Sequence, residues 1–173
     1  MIRRQLFHAG SAFFLTLAIA IAAGAQSLPQ VNLNADNLRP RAIEQLTGTN
    51  LTRDYAIAWR GMEQALEQNR TDLLKGQFTG FAQDRLAQRI EDQRDNGLRM
   101  QIVDHGHRVK AVFYSLDGGA MQLVDDAQIQ VRIFDGSRLV DSEDTSLRYI
   151  VLMTPGADRW YVRYLEQVPS TTP

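Results

Sequence analysis

The apolar positions of this chain change their spacing along its length, and each change marks a different kind of element. After the basic lead Met1-Ile2-Arg3-Arg4 comes an apolar run from Ala12 to Ala22. Further on, Tyr55, Ala58, Trp59, Met62, Ala65 and Leu66 recur at helical spacing, with Arg53, Asp54, Arg60, Glu63, Gln64 and Glu67 on the opposite face. This predicts a helix over 52–68, capped by Asn50 or Thr52 through a side-chain oxygen that accepts a backbone N–H bond. Asn69-Arg70-Thr71-Asp72 breaks it. A second helix is predicted over 81–95, with Phe81 or Ala82, Leu86, and Ala87 or Ile90 facing inward. Asn96-Gly97 ends it, since both residues tolerate the left-handed conformation of a helix end.

From Leu98 the period becomes two. Met100, Ile102 and Asp104 fall on one face of a strand, and Gln101, Val103 and His105 on the other. A second strand over 109–116 leads to Asp117-Gly118-Gly119, a hairpin signal. The third, 120–134, sets Ala127, Ile129, Val131 and Ile133 against Gln128, Gln130 and Arg132, and Asp135-Gly136 turns it. A fourth carries Leu147, Tyr149, Val151 and Met153. The last, 160–168, alternates through Trp160, Val162 and Tyr164. Helices followed by an antiparallel meander make an α+β chain, with the helices covering one sheet face.

The expected organisation is a signal peptide over 1–25, a polar leader over 26–49 with a short helix over 38–46 ended by Gly48, one α+β domain over 50–168, and a disordered tail over 169–173. Ala23-Gly24-Ala25 supplies the small residues that signal peptidases accept, so cleavage is expected before Gln26. The apolar run is shorter than the roughly 20 residues needed to span a bilayer. Arg3-Arg4-Gln5-Leu6-Phe7 resembles a twin-arginine export signal, although ordinary leaders also carry paired arginines. The sequence has no cysteine, which excludes a lipoprotein anchor and disulfides. The expected location is therefore outside the cytoplasm, periplasmic or extracellular. Cleavage leaves 148 residues with 17 basic and 20 acidic side chains, net −3. That balance argues against nucleic acid and against an anionic membrane surface as partners.

The helix over 52–68 with its Tyr55/Trp59/Met62/Leu66 stripe, the helix over 81–95 and the sheet over 99–168 together resemble the nuclear-transport-factor-2-like superfamily. Cystatin-like folds are the nearest competitor. The resemblance covers roughly residues 50–168. It implies a strongly curved antiparallel sheet wrapped as a cone around a long helix, with a conical pocket between them and homodimerisation through the outer sheet face. The superfamily includes ketosteroid isomerase-like and dehydratase-like enzymes and many members without chemistry. No motif here matches the catalytic positions of an enzymatic member, and fold alone assigns no function.

Among chemistry-bearing residues, parity puts Asp125 of Asp125-Asp126 on the side facing the helices. A desolvated carboxylate there suits a general base, with Tyr114, Tyr149 or Tyr164 as phenolic donor. The alternative is a bulge that turns both carboxylates outward, or pairing of Asp125 with Lys110 or Arg108. His105 and His107 could share a face and hold Zn²⁺, but two ligands are an incomplete site, and Gly106 marks a bend that separates them. Tyr55, Trp59, Met62, Phe78 and Phe81 could line an apolar pocket or form plain core. No Walker loop, dinucleotide fingerprint or nucleophile elbow is present, so no cofactor is expected. The expected function is a non-catalytic binding module with Tyr55, Trp59, Met62, Phe81 and Asp125 as ligand contacts, holding a small apolar ligand or a protein partner. The alternatives are an acid–base isomerase or dehydratase using Asp125 and Tyr114, and a purely structural domain.

Overall fold

The computed structural model describes residues 27–169. The signal-peptide assignment over 1–25, and the tail from 170 onward, lie outside the described residues. Five strands form one sheet in chain order: β1 (Val31–Asn34), β2 (Leu98–Tyr114), β3 (Met121–Asp135), β4 (Arg138–Pro155) and β5 (Trp160–Val168). Pairing is antiparallel from β2 to β5, while β1 runs parallel to β2, from Val31 opposite His107 to Asn34 opposite Lys110. Two helices, α1 (Gln45–Gln68) and α2 (Gly80–Asp95), cover one face, joined through a single 3-10 turn at Thr71–Leu74.

Alternation decides which sheet face is covered. Along β3, Met121, Leu123, Asp125, Ala127 and Ile129 are buried, and the residues between them are half-buried. The α1 stripe packs onto that face: Tyr55, Ala58, Trp59, Met62, Ala65 and Leu66 are all buried, as their spacing predicts. Each large apolar side chain so buried contributes about 1.5–3 kcal/mol. β2 is one strand rather than two, carried past Gly106 by a bulge between Asp104 and Gly106. Gly106 has φ +119, a conformation that costs glycine nothing and strains any other residue.

The N-terminal third departs from its expected form. No short helix forms over 38–46; α1 starts at Gln45 and runs straight through Gly48. Leu51 extends the buried stripe one turn upstream, and its burial outweighs the roughly 1 kcal/mol that a helical glycine costs. Neither Asn50 nor Thr52 is a cap; the Thr52 hydroxyl donates to the Gly48 carbonyl at 2.9 Å. The leader is not uniformly loose either, since Val31–Asn34 adds a strand to the sheet. The opposite face of α1 is not simply solvated. Asp54 is buried and accepts the Trp160 backbone N–H at 2.8 Å, pinning α1 to β5, and Arg60 and Glu63 are largely covered.

Candidate functional site

Register sets the chemistry of the concave face. Val109 pairs with Asp125 and His107 with Ala127, which makes His107 and Asp125 diagonal neighbours on one face. The bulge at His105 returns Asp104 to the same side and carries His105 outward, where it is exposed with Asp144 at 3.7 Å. His107 Nδ1 lies 2.8 Å from Asp125 Oδ2, and Nε2 lies 2.6 Å from Asp104 Oδ2. From α1 above, the Tyr55 hydroxyl donates to the same Asp125 Oδ2 at 2.7 Å. The Trp59 ring covers His107 at a centroid distance of 4.4 Å.

All of this cluster but Asp104, which is partly exposed, is dry. Asp125 is 0% exposed, and His107 and Tyr55 are each 1% exposed. Burial alone would lower the His107 pKa, but hydrogen bonds to Asp104 and Asp125, with their charges, outweigh it and raise it to about 9. At neutral pH the ring is therefore an imidazolium that donates from both nitrogens, one to each carboxylate. Tyr55 is pushed well above its usual value by burial and then by the Asp125 charge. Glu63 is raised to about 7 by burial and then by Asp104, against the opposing pull of Arg60 and His107. The arrangement places one positively charged ring between two carboxylates, each within hydrogen-bond reach.

The open space lies further along the same face. A cleft of about 410 Å³ separates α2 from the sheet, within the range of small-molecule sites. Its floor includes Met100, Ile102, Val131 and Leu147; its roof includes Met62, Leu66 and Leu86; Arg85, Arg89, Asp92 and Glu166 stand around it. It exists because α2 buries little, only Ala82, Leu86 and Ile90, and so leaves apolar floor unfilled. Tyr149 joins the two regions. It lines the cleft and sits edge-on to Trp59 at 5.5 Å. Its pKa is raised to about 12 by burial, with Arg89 pulling down and Asp125 pushing up.

With two helices laid in the concavity of a bent antiparallel meander, the deciding feature is in place. The fold is nuclear-transport-factor-2-like. No protein-family profile matches the chain, and no curated protein does. Among solved structures, it is similar to the intermembrane space region of the chloroplast protein ARC6, at 14% identity over 76% of this chain and 100% of that one, TM-score 0.62. Looser overlays reach ActVI-ORFA from Streptomyces coelicolor (12% identity, 72% and 98% of the two chains, TM-score 0.49). A putative dehydratase of the NTF2-like family from Streptomyces avermitilis follows (11%, 72% and 99%, TM-score 0.47). Identities this low speak for the fold alone. Among the described residues no helix is long and apolar enough to cross a membrane.

Within this nuclear-transport-factor-2-like frame the sequence-predicted residues separate. Asp125 does face the helices, yet its partners are Tyr55 and His107, and neither Lys110 nor Arg108; Asp126 is the one that pairs with an arginine, Arg148, at 2.7 Å. Tyr114 is not its donor. Tyr114 pairs with Met121, well along the strand from Asp125, and packs against Trp160. Of the five expected ligand contacts, Met62 lines the cleft; Tyr55, Trp59 and Asp125 are enclosed beside it, and Phe81 is outside. Phe81 is 46% exposed and stacks on Tyr164 at 5.2 Å, because Ala82 takes the inward position at the start of α2. Among the described residues no group of three or more His, Cys, Asp or Glu side chains could hold a metal ion, and the bulge puts His105 and His107 on different faces. Arg85, Arg89, Leu147 and Tyr149 were missed as a set. Their signal was parity on β4 and an i,i+4 arginine pair on α2.

Proposed function

We propose that this chain is an exported, non-catalytic binding module whose cleft between α2 and the sheet holds a small apolar ligand. The observation that carries the reading is the contrast within the concave face. The acid–base cluster is closed off from the cleft, with Trp59 and Tyr149 packed at its side and only Asp104 partly exposed, toward Ser27 and Gln30, while the apolar cleft lies open. A general base must come within hydrogen-bond reach of its substrate, and Asp125 and His107 are not among the cleft walls. Export rests on the basic lead, the apolar run and Ala23-Gly24-Ala25. Docking of a second copy on the outer sheet face is part of the same proposal; Val124, Ile150 and Leu152 stand half-buried there.

The second reading, an isomerase or dehydratase with Asp125 as base, draws on the Tyr55 bond and on Asp125 Oδ1, a buried oxygen with no hydrogen-bond partner among the described residues. One experiment separates the two. Leu147→Trp fills the cleft without touching Asp125. Binding of decanol, followed by calorimetry, is expected to vanish in this variant and to survive in Tyr55→Phe. Loss in Tyr55→Phe with retention in Leu147→Trp reverses the assignment.

A further inference from the structure

Resting on that reading of the cleft, we infer that its ligand is an anionic amphiphile: an apolar body on the Met100, Val131 and Leu147 floor, and a carboxylate head gripped by Arg89 and Tyr149. Arg85 and Arg89 are four residues apart on α2 and therefore share a face, the one that borders the cleft. Among the described residues neither forms an ion pair within 4.0 Å. The Arg89 guanidinium donates to Met100 Sδ at 3.5 Å, a weak acceptor that a carboxylate would displace. Arg85 lies over the Phe81 ring, 5.6 Å from its centroid.

The Tyr149 phenol is the second donor. Arg89 on α2 and Tyr149 on β4 both line the cleft, so the two groups border a common space. Among the described residues the Tyr149 hydroxyl makes no hydrogen bond. The two carboxylates at the rim each accept one neutral donor, Asp92 from Gln88 Nε2 at 2.7 Å and Glu166 from the Tyr164 hydroxyl, and among the described residues neither pairs with Arg85 or Arg89. A guanidinium and a phenol on the walls of one cleft with an apolar floor match a carboxylate on a greasy tail. The planar guanidinium fork fits both carboxylate oxygens, which a neutral head cannot exploit.

The test is calorimetric titration of the purified protein with decanoate, decanol and decyltrimethylammonium, which share one tail and differ in head charge. Decanoate is expected to bind at least about tenfold more tightly than decanol, the worth of a charge-assisted hydrogen bond. Arg89→Gln is expected to erase that preference, decanoate falling to the level of decanol, and Arg89→Lys to restore part of it. Arg89 is exposed, so thermal unfolding of both variants should match the parent. Equal affinity for decanoate and decanol, or tighter binding of the cation, overturns the head-group assignment and leaves the apolar cleft standing. Failure of all three to bind overturns the cleft reading and this inference together.

Discussion

Under α1 the concave sheet face carries Asp104, His107 and Asp125 and is closed over by Tyr55 and Trp59; under α2 it carries Met100, Val131 and Leu147 and stays open. The same strands build both ends, so the difference comes from the covering helices. α1 brings large aromatic side chains down to the sheet. α2 brings Ala82, Leu86 and Ile90, with arginines toward the rim. The charges at the closed end are held by the His107 bonds to both carboxylates and the Tyr55 bond to Asp125, because an unpaired buried charge is costly. Apolar residues at the open end tolerate an incomplete cover.

The contrast breaks most visibly when a charge loses its partner. His107→Ala leaves two carboxylates facing each other in a dry site and should cost about 3–5 kcal/mol in urea unfolding. Leu147→Ala, in the half-open cleft, should cost under about 2 kcal/mol, since a partly exposed side chain has less burial to lose. Equal losses at the two positions would erase the distinction.

A second consequence is the dependence of stability on pH. The His107 pKa rises on folding from 6.5 to about 9, so the charged ring stabilises the fold fully below pH 6.5 and that stabilisation fades as pH rises through 9. The effect is on the order of 3 kcal/mol. Glu63 rises from 4.5 to about 7, and its ionisation therefore destabilises the fold as pH climbs over that interval. Stability should fall in two limbs between pH 4.5 and 9. Glu63→Gln should flatten the lower limb and His107→Gln the upper, as read from urea midpoints at pH 5, 7 and 9. A profile that rises from pH 6.5 to 9 contradicts the assigned charge of His107.

Smaller effects sharpen the comparison. Leu147→Trp should abolish ligand binding and shift stability by about 1 kcal/mol or less, because the cleft has room for the larger ring. Phe81→Ala should cost about 0.5–1.5 kcal/mol through the lost stack on Tyr164 and leave binding untouched. An effect of Phe81→Ala on ligand affinity would return that residue to the site.

How much of this was legible in the sequence follows from the length scale of each signal. The α1 stripe and the β3 alternation extend over many residues, so their buried faces are readable from period alone. Strand β1 is four residues long, too short for a period to declare itself, and so the parallel strand it adds beside β2 was invisible. Parity placed Asp125 inward. Its partners depend on register: a one-residue bulge at His105 decides that Asp104 joins His107, and a helix 70 residues upstream supplies Tyr55. The cleft is a still weaker signal, because it records what α2 fails to fill.

The most direct test of the central claim is a heteronuclear NMR titration of the protein with decanol, read residue by residue. The account predicts shifts centred on Leu86, Met100, Val131 and Leu147, with the signals of Tyr55, His107 and Asp125 unmoved. Shifts centred on Asp125 and His107 would show that the closed end opens to ligand, and would contradict it.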